Sequence, residues 1–327
     1  MNHEKTIDLK MLFPPNMNYD YFKGSELVPF DGSDQGFSLA TAWWLAEISL
    51  LVYEHPGFIK WVLHSMGAGN YRFFSGATAK VAVFTLNRAC IVTFRGTEIK
   101  NANFLPDALA DVQFGMTKFH DLGKVHKGFK SVFDEVLTAK LGLPGYLDEI
   151  LESGQADKIF FTGHSLGGAL ATLASAYYRR QVASLYSFGT PKVGNEEFCA
   201  NFPVQAWRFV TAGDPVPYLP PNLPGFAKES TKYAHIGTMM YFDEQRRLQP
   251  NATEAPLDLP ALIGKNIHTV SANLSKKARG FLDRTVDKKL ATFIRDANID
   301  AHAPALYATY LWNFLVTQQF NPQPPKA

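Results

Sequence analysis

A serine flanked by glycine at both −2 and +2 lies at residues 163–167, which read Gly-His-Ser-Leu-Gly. The apolar residues 158–162 before it predict a β-strand, and the alanine-rich residues 168–176 after it predict a helix. This arrangement is typical of a nucleophile elbow, a turn so tight that side chains at −2 and +2 would collide with neighbouring backbone. The segment therefore predicts a serine hydroxyl held over the carboxyl edge of a sheet, at the positive end of a helix dipole.

The composition allows a large globular core and argues against a nucleic-acid partner. Of the 327 residues, 46% are hydrophobic, and the formal net charge is only +2. The most apolar stretch, residues 39–52, is too short to span a bilayer and contains Glu47, so no transmembrane segment is expected. The sequence carries no indication of an oligomeric state.

The two cysteines and the first residues bear on the compartment. Cys90 and Cys199 are interpreted as free thiols rather than as a disulfide. Residues 1–8 lack the apolar core of a signal peptide, so a cytoplasmic location is expected, with export by a signal-independent route left open.

Strand-like and helix-like segments alternate along most of the chain. Strands are predicted at residues 71–74, 81–86, 90–94, 158–162, 182–188, 206–211 and 233–242, and helices at 37–53, 58–66, 130–137, 147–151, 196–201, 265–297 and 305–315. This alternation implies an α/β fold whose mostly parallel sheet is covered by helices on both faces. No linker divides residues 1–327, so we expect one domain with a helical insertion at residues 222–297 before the C-terminal helix.

A serine becomes a useful nucleophile only when a histidine takes its proton and a carboxylate orients that histidine. In sites built on an elbow, the acid follows a later strand and the histidine comes after the acid. Asp214 follows the predicted strand at residues 206–211, and Pro215 and Pro217 stiffen the loop that carries it. Asp214 is therefore the predicted acid, although an aspartate before proline also suits an ordinary turn.

Three histidines follow the predicted acid. His302 lies in a loop before the last apolar helix, where a base is expected. His235 lies in or beside a strand and is better explained as a structural, hydrogen-bonded residue, and His268 as a solvated one. These residues favour His302 as the base and leave His235 as the alternative. His164, next to the serine, must point another way at an elbow and is interpreted as shaping the site.

An oxyanion formed on an attacked ester needs fixed hydrogen-bond donors. The backbone N–H of Leu166, directly after the serine, is one candidate. Thr97 is the second, because it follows the predicted strand at residues 90–94 and offers both an N–H and a hydroxyl. The alternative for residues 95–97 is an ordinary β-turn.

Five motifs occur in the order found in class 3 lipases, the family of the filamentous-fungal triacylglycerol lipases, at residues 93–97, 125–129, 163–171, 186–195 and 214–221. The chain resembles this family over roughly residues 80–221 and in its C-terminal histidine. The resemblance implies an α/β-hydrolase fold with Ser165 as nucleophile, Asp214 as acid and His302 as base. It also implies that Thr97 and Leu166 form the oxyanion hole, and that no metal or organic cofactor takes part.

The resemblance further implies a lid over the site. It corresponds to residues 98–110, and its apolar side would be made by Ile99, Phe104, Leu105 and Leu109. A fixed surface loop is the alternative for this segment. By the same resemblance, Asp111 supports the hydroxyl of the oxyanion hole. Residues 265–297 carry an excess of lysine and arginine, which suits either a patch facing a lipid surface or a solvated helix packed on the core.

Two departures from the family concern the surroundings of the pocket: the interval between Asp214 and His302 is longer, and two cysteines cannot reproduce the disulfides of secreted fungal members. The resemblance implies hydrolysis of carboxylic esters of lipids, triacylglycerol first, at an oil–water or membrane interface. A phospholipase A1 and a short-chain carboxylesterase are alternatives within the same chemistry. A non-catalytic lipid-binding module is the alternative outside it.

Overall fold

The structure is a computed structural model that describes residues 4–32, 36–98, 115–138, 142–179, 181–222, 232–252 and 299–320. Its main sheet has eight strands, β1 (Gly69–Ser75), β2 (Lys80–Leu86), β3 (Ala89–Phe94), β6 (Lys158–His164), β7 (Val182–Phe188), β9 (Ala206–Thr211), β11 (Thr238–Phe242) and β12 (Leu248–Pro250), in that spatial order. The five strands from β3 to β11 run parallel, and the pairs at the two edges are antiparallel. The expected mostly parallel sheet is confirmed.

Seven α-helices are present in the described residues: α1 (Leu39–Leu51), α2 (Pro56–Ser65), α3 (Lys127–Val136), α4 (Leu143–Glu152), α5 (Leu166–Tyr178), α6 (Glu196–Ala200) and α7 (Pro304–Phe320). α1 is apolar nearly all round and is buried from Thr41 to Leu51, as expected of a helix in the centre of a large core. Its N-cap is Ser38, whose hydroxyl accepts from the N–H of Thr41 at 3.2 Å.

The central strands separate two hydrophobic cores because successive side chains point to opposite faces. Ile91 of β3 and Phe160 of β6 face one core, which they share with α1, α2 and α7. Val92 and Phe161, their neighbours along the chain, face the other core, which contains α3, α4 and α5. The strands buried on both faces explain their continuous apolar runs, and the expected helices on both faces of the sheet are confirmed.

A second, four-stranded sheet was not expected from the sequence. It consists of β10 (Tyr233–Ala234), β8 (Gly194–Asn195), β5 (Gly123–His126) and β4 (Met116–Phe119), all antiparallel. The single strand predicted at residues 233–242 is wrong, because its two ends belong to different sheets. Gly237 breaks it with φ +63°, where a side chain would run into the backbone of Ala206.

The N-terminal residues lie along α1 through two buried glutamates, Glu47 within that helix and Glu54 just beyond its end. Glu47 accepts from the Lys5 ammonium at 3.1 Å and the Tyr19 hydroxyl at 3.2 Å, while Glu54 accepts from the Tyr21 hydroxyl at 2.9 Å. Asn313 of α7 bonds both backbone groups of Lys5, at 2.7 and 2.9 Å. The N-terminal residues thereby join the first helix to the last one.

Most of the predicted insertion lies outside the described residues. Of residues 222–297, the structure describes 222 and 232–252. These form β10, β11 and β12, so this part adds strands rather than helices. No helix in the described part of the chain combines the length and the apolar character needed to cross a bilayer.

Candidate active site

Ser165 lies between β6 and α5 in a backbone conformation that side chains rarely adopt. Its φ of +58° and ψ of −128° are strained for any residue other than glycine. Its N–H donates to the carbonyl of Phe188 at 2.9 Å, and its carbonyl accepts from Gly168 at 3.0 Å, so the turn is held from both sides. This is the sharp strand-to-helix turn that the sequence predicted.

Two glycines make that turn sterically feasible. A Cβ on Gly163 would overlap the backbone of Gly167, and a Cβ on Gly167 would overlap the carbonyl of Phe94 at the end of β3. Glycine at 163 lets the two ends of the turn pack together, and glycine at 167 lets the turn pack against β3. Glycine at both positions is thus required by packing, as the sequence indicated.

Asp214 and His302 form a buried pair although they are 88 residues apart in the chain. Nδ1 of His302 lies 2.8 Å from Oδ2 of Asp214, and both side chains are fully buried. Asp214 follows β9, and its second oxygen accepts from the N–H of Val216 at 2.8 Å, which sets the plane of the carboxylate. His302 ends a short 3₁₀ turn, Ile299–His302, and Thr211 donates to the carbonyl of Ala301 in that turn at 2.6 Å.

A third side chain, Tyr307 of α7, completes the surroundings of the acid. Its hydroxyl donates to Oδ2 of Asp214 at 2.6 Å, so this oxygen accepts from both Tyr307 and His302. Burial, followed by the charge of Asp214, raises the pKa of the Tyr307 phenol well above its ordinary value. The phenol therefore remains a donor, and the carboxylate has three hydrogen-bond donors in a site closed to water.

The reactive atoms of the serine and the histidine are both buried. Oγ of Ser165 and Nε2 of His302 have no hydrogen-bond partner among the described residues. The imidazole of His302 lies against the elbow, with its centroid 4.4 Å from that of His164, the neighbour of Ser165. Buried polar groups are rarely left unpaired without a functional reason, and these two are the atoms that a serine–histidine reaction would join.

His164 itself holds the backbone of the histidine rather than the nucleophile. Its Nε2 lies 2.7 Å from the carbonyl oxygen of His302, and its Nδ1 lies 3.0 Å from the hydroxyl of Tyr53. Burial, followed by the proximity of His302, lowers the pKa of His164 well below its ordinary value. Its interpretation as a residue that shapes the site is consistent with these contacts.

The candidate donors of the oxyanion hole belong to two separate elements. Leu166 is the first residue of α5, so its N–H is one of those that a helix leaves unpaired at its N-terminus. Thr97 follows β3 in residues 95–98, which we call the oxyanion loop. Gly96 in this loop contacts the elbow closely enough that a Cβ there would overlap the hydroxyl of Tyr53 and approach the carbonyl of His164. An ion pair between Arg95 and Glu98 spans the loop.

The other predicted residues divide into two groups. His235 lies away from the acid, with Nε2 2.6 Å from the carbonyl of Pro217, and burial lowers its pKa well below the ordinary value. Six predicted residues lie outside the described residues, as does the predicted lid at 98–110 apart from Glu98: Ile99, Phe104, Leu105, Leu109, Asp111 and His268. Where the chain is described, no cluster of three or more histidine, cysteine or acidic side chains is arranged to hold a metal ion.

Two residues of the site escaped the sequence analysis. Tyr53 ends the apolar run of α1, and Tyr307 lies within the apolar C-terminal helix, where an aromatic residue is usually part of the core. The only signal for either is a hydroxyl in an otherwise apolar segment. A buried hydroxyl needs a partner, but the sequence does not indicate which one.

Comparison with known families and proteins gives a consistent result. Residues 91–223 match the family model described as Lipase (class 3). A secreted mono- and diacylglycerol lipase from Fusarium solani is 34% identical over 168 residues, which cover 49% of this chain and 47% of that protein. A lipase from Rhizopus niveus is 33% identical over 149 residues, 41% of this chain and 36% of that protein. The chain thus spans less than half the length of these relatives.

Solved structures resemble the fold over a larger part of the chain. A lipase from Rhizopus microsporus var. chinensis superposes with a TM-score of 0.51 at 23% identity, covering 74% of this chain and 83% of the other. A deletion mutant of the Rhizomucor miehei lipase propeptide complex superposes with a TM-score of 0.53 at 20% identity, covering 70% and 75%. The central fold is the α/β-hydrolase fold of fungal lipases.

Proposed function

We propose that this chain, whose residues 91–223 match the family model described as Lipase (class 3), hydrolyses carboxylic esters of lipids, foremost triacylglycerol, through a serine acyl-enzyme. The observation that carries the proposal is the fully buried pair of Asp214 and His302 beside Ser165 on its strained turn. A carboxylate, an imidazole and a serine in this relation are the parts of acyl-transfer chemistry.

In the acylation half-reaction, Oγ of Ser165 attacks the carbonyl carbon of the ester while Nε2 of His302 takes the hydroxyl proton. The carbonyl oxygen becomes an oxyanion, which accepts from the N–H of Leu166 and from the N–H and hydroxyl of Thr97. As the tetrahedral intermediate collapses, its bond to the alcohol oxygen breaks and His302 gives its proton to that oxygen. Asp214 holds the imidazole in the tautomer with a proton on Nδ1 and stabilises its charged form.

In the deacylation half-reaction, water replaces the alcohol. His302 takes a proton from the water as its oxygen attacks the acyl carbon, and the bond between that carbon and Oγ of Ser165 breaks. The proton returns to Oγ, and the fatty acid leaves. No step requires a metal or an organic cofactor, since every proton moves between these groups.

Access to the site is part of the same proposal. Residues 98–110 act as a lid whose apolar side, exposed by opening, exchanges water for acyl chains at an oil–water or membrane interface. At about 25 cal/mol per Å² of apolar area, a few hundred Å² is enough to shift a two-state lid. Activity that rises sharply when tributyrin exceeds its solubility supports this lid, whereas smooth saturation across the solubility limit contradicts it. Asp111 supports Thr97 in the open state.

The compartment is proposed from the cysteines. Cys90 and Cys199 are free thiols in the structure, which favours a reducing cytoplasm, while the Fusarium relative is named as secreted. Fractionation of producing cells separates these two outcomes.

The experiment that tests the function is a substrate series measured with the intact chain. It contains p-nitrophenyl esters from acetate to palmitate, tributyrin, triolein, a diacylglycerol and a phosphatidylcholine. Ser165→Ala is the inactive reference, and Ser175→Ala is the matched control, because the hydroxyl of Ser175 is buried in α5, the helix that follows Ser165, and donates to the carbonyl of Thr172 within it. We expect hydrolysis of long-chain glycerides that Ser165→Ala loses and Ser175→Ala keeps.

The other outcomes assign other functions. Phospholipid cleavage above triglyceride cleavage identifies a phospholipase A1, and activity confined to short soluble esters identifies a carboxylesterase. Lipid binding with equal, negligible turnover by wild type and Ser165→Ala overturns the enzymatic proposal in favour of a lipid-binding module.

A further inference from the structure

Four groups from four separate elements are connected in one line beside the active site. The Gly96 backbone in the oxyanion loop lies against the hydroxyl of Tyr53, just after α1, so closely that a Cβ on Gly96 would overlap it. The Tyr53 hydroxyl lies 3.0 Å from Nδ1 of His164 on the elbow, and Nε2 of His164 lies 2.7 Å from the carbonyl oxygen of His302. The line therefore begins at the predicted oxyanion hole and ends at the backbone of the predicted base.

The chemistry of these groups determines the direction of each hydrogen bond. A carbonyl oxygen only accepts, so Nε2 of His164 must carry a proton and donate to His302. His164 is neutral because burial lowers its pKa, so its Nδ1 has a lone pair and accepts from the Tyr53 hydroxyl. The oxygen of Tyr53 packs against the Gly96 backbone. Both donors in the line therefore have an acceptor, and both donations run toward His302.

The line is enclosed by the protein. Tyr53 and His164 are buried, with exposed fractions of 4% and 1%. Burial raises the pKa of the Tyr53 phenol, so its proton remains in place. Hydrogen bonds shielded from water hold their partners more firmly than exposed ones, and each unsatisfied member would leave a costly buried polar group.

The line of hydrogen bonds ends at the backbone of His302, whereas Asp214 contacts only its imidazole. Asp214 orients the imidazole through Nδ1, whereas the position of the ring along the elbow depends on the backbone of residue 302. A shift of about 1 Å between reacting groups is enough to lower a rate about a hundredfold. A contact on the His302 carbonyl is therefore placed to set the distance between Nε2 and the serine.

We infer that Tyr53 and His164 are positioning residues that tie the oxyanion loop to the backbone of His302, so that the donors of the oxyanion hole and the base keep one fixed spacing. The inference rests on the proposed function for its kinetic consequence. Neither residue touches the ester: Tyr53 acts through His164, and His164 acts through the carbonyl of His302.

The kinetic test compares two tyrosines that each lose one hydrogen-bonded hydroxyl. Tyr53→Phe removes the link. Tyr71→Phe is the control, because Tyr71 packs against the same small apolar cluster as Tyr53 while its hydroxyl donates to the carbonyl of Pro56 at 3.0 Å, which is not part of the line. With p-nitrophenyl butyrate, we expect Tyr53→Phe to lower kcat about tenfold and to leave KM within about twofold. The reason is that a misplaced base raises the barrier of the chemical step without weakening substrate binding. Tyr71→Phe should leave both parameters unchanged. Equal kcat values for the two variants overturn the inference.

Substitutions at His164 test whether the two residues act as one unit. His164→Gln keeps a donor near the position of Nε2 and should retain most of the activity that His164→Leu loses. In the His164→Leu background, Tyr53→Phe should not lower kcat further, because the line of hydrogen bonds is already broken. Fully additive losses contradict the inference.

A spectroscopic measurement is independent of turnover. Nitrogen-15 spectra of ring-labelled histidine, assigned with His164→Gln, should show His164 neutral with its proton on Nε2. Tyr53→Phe should shift the Nδ1 signal of His164 and the ring signals of His302, and Tyr71→Phe should shift neither. A proton on Nδ1 of His164, or unchanged His302 signals in Tyr53→Phe, overturns the inference whether or not the wild type hydrolyses any ester. Esters left intact by the wild type, with these signals as expected, overturn only the proposed function.

Discussion

The hydroxyl of Tyr307 donates to Oδ2 of Asp214 at 2.6 Å, the same oxygen that accepts from His302. The donor comes from the helix that begins two residues after His302, so one short stretch of chain supplies both the base and a hydrogen-bond donor to its acid. Together the phenol and the imidazole fix the position of the carboxylate beside the base.

Tyr307→Phe should destabilise the protein, because it leaves the buried carboxylate of Asp214 with one hydrogen-bond donor fewer. A lost hydrogen bond to a charged group is worth about 1.5–3 kcal/mol, so we expect a loss of unfolding free energy of that size. Tyr310→Phe is the control, because Tyr310 is on the same helix and packs on Phe242. Urea unfolding measures both variants, and equal unfolding free energies would show that Tyr307 only packs.

The two candidate bases should respond differently to alanine. His302→Ala removes the group that takes the serine proton, so kcat should fall by about a thousandfold or more in a folded protein. His235→Ala removes a contact with Pro217 and should lower the melting temperature while kcat stays within about twofold. Turnover of p-nitrophenyl butyrate and a thermal melt measure both. A large loss of kcat confined to His235→Ala would move the base to that residue.

Alanine at the glycines of the elbow should destabilise the protein in proportion to the overlap it creates. Gly163→Ala and Gly167→Ala each place a methyl group into neighbouring backbone, and we expect losses of about 3 kcal/mol or more, or failure to fold. Gly145→Ala is the matched control, since Gly145 lies in α4 with open space around it. There the helix propensity of alanine should stabilise by about 0.5–1 kcal/mol. Urea unfolding distinguishes these outcomes.

Ser165→Gly should be more stable than Ser165→Ala. Both remove the nucleophile, but only glycine adopts a φ of +58° and a ψ of −128° without strain. Strain of this kind is worth about 1–3 kcal/mol, partly offset by the greater freedom of glycine in the unfolded chain, so a net gain of about 1 kcal/mol is expected. Calorimetry of the two inactive variants measures it, and equal melting temperatures would mean that the turn is relaxed.

Stability should fall as the pH is lowered from 7 to 5. Burial lowers the pKa of His126 to about 4 and holds those of His164 and His235 well below the ordinary value. Below about pH 6.5 the unfolded chain binds protons at these positions and the folded protein does not, so each histidine costs about 1.4 kcal/mol per pH unit there. Lowering the pH therefore favours unfolding over this range.

His126→Asn isolates one of these histidines. His126 caps α3 by accepting from the N–H of Phe129 at 3.3 Å, and asparagine keeps a capping oxygen without titrating. The slope of unfolding free energy against pH should therefore drop by about 1.4 kcal/mol per pH unit in this variant. A slope equal to that of the wild type would show that His126 takes up its proton in the folded state.

The elbow, the order of acid and base, and the strand positions around them were predictable because each is a local pattern. The strands predicted at residues 182–188 and 206–211 coincide with β7 and β9. The serine turn could be recognised because glycine at 163 and 167 has a steric reason within five residues. The base could be ranked but not singled out from residues alone, since His302 and His235 each follow the acid in an acceptable setting.

The second sheet and the two tyrosines of the site were not predictable in the same way. β4 and β5 are four-residue strands that pair with each other, and β5 joins the rest of its sheet only through β8, more than 60 residues away in sequence, so no local periodicity marks them. Tyr53 and Tyr307 differ from ordinary core aromatics only in which polar atom each hydroxyl meets. The same holds for Glu47 and Glu54, whose burial depends on partners from the N-terminal residues.

What the sequence determined alone is the local chemistry: a serine forced out at a glycine-flanked turn, a carboxylate after a later strand, and a histidine before an apolar helix. These depend on backbone sterics and on residue order, which the chain specifies over a few positions. The tertiary structure decided which histidine meets Asp214 and which hydroxyls and backbone groups hold that pair in place. Hydrogen bonds between residues 88 and 138 positions apart arise only when the sheet brings their elements together, and their direction follows from burial, which no single segment contains.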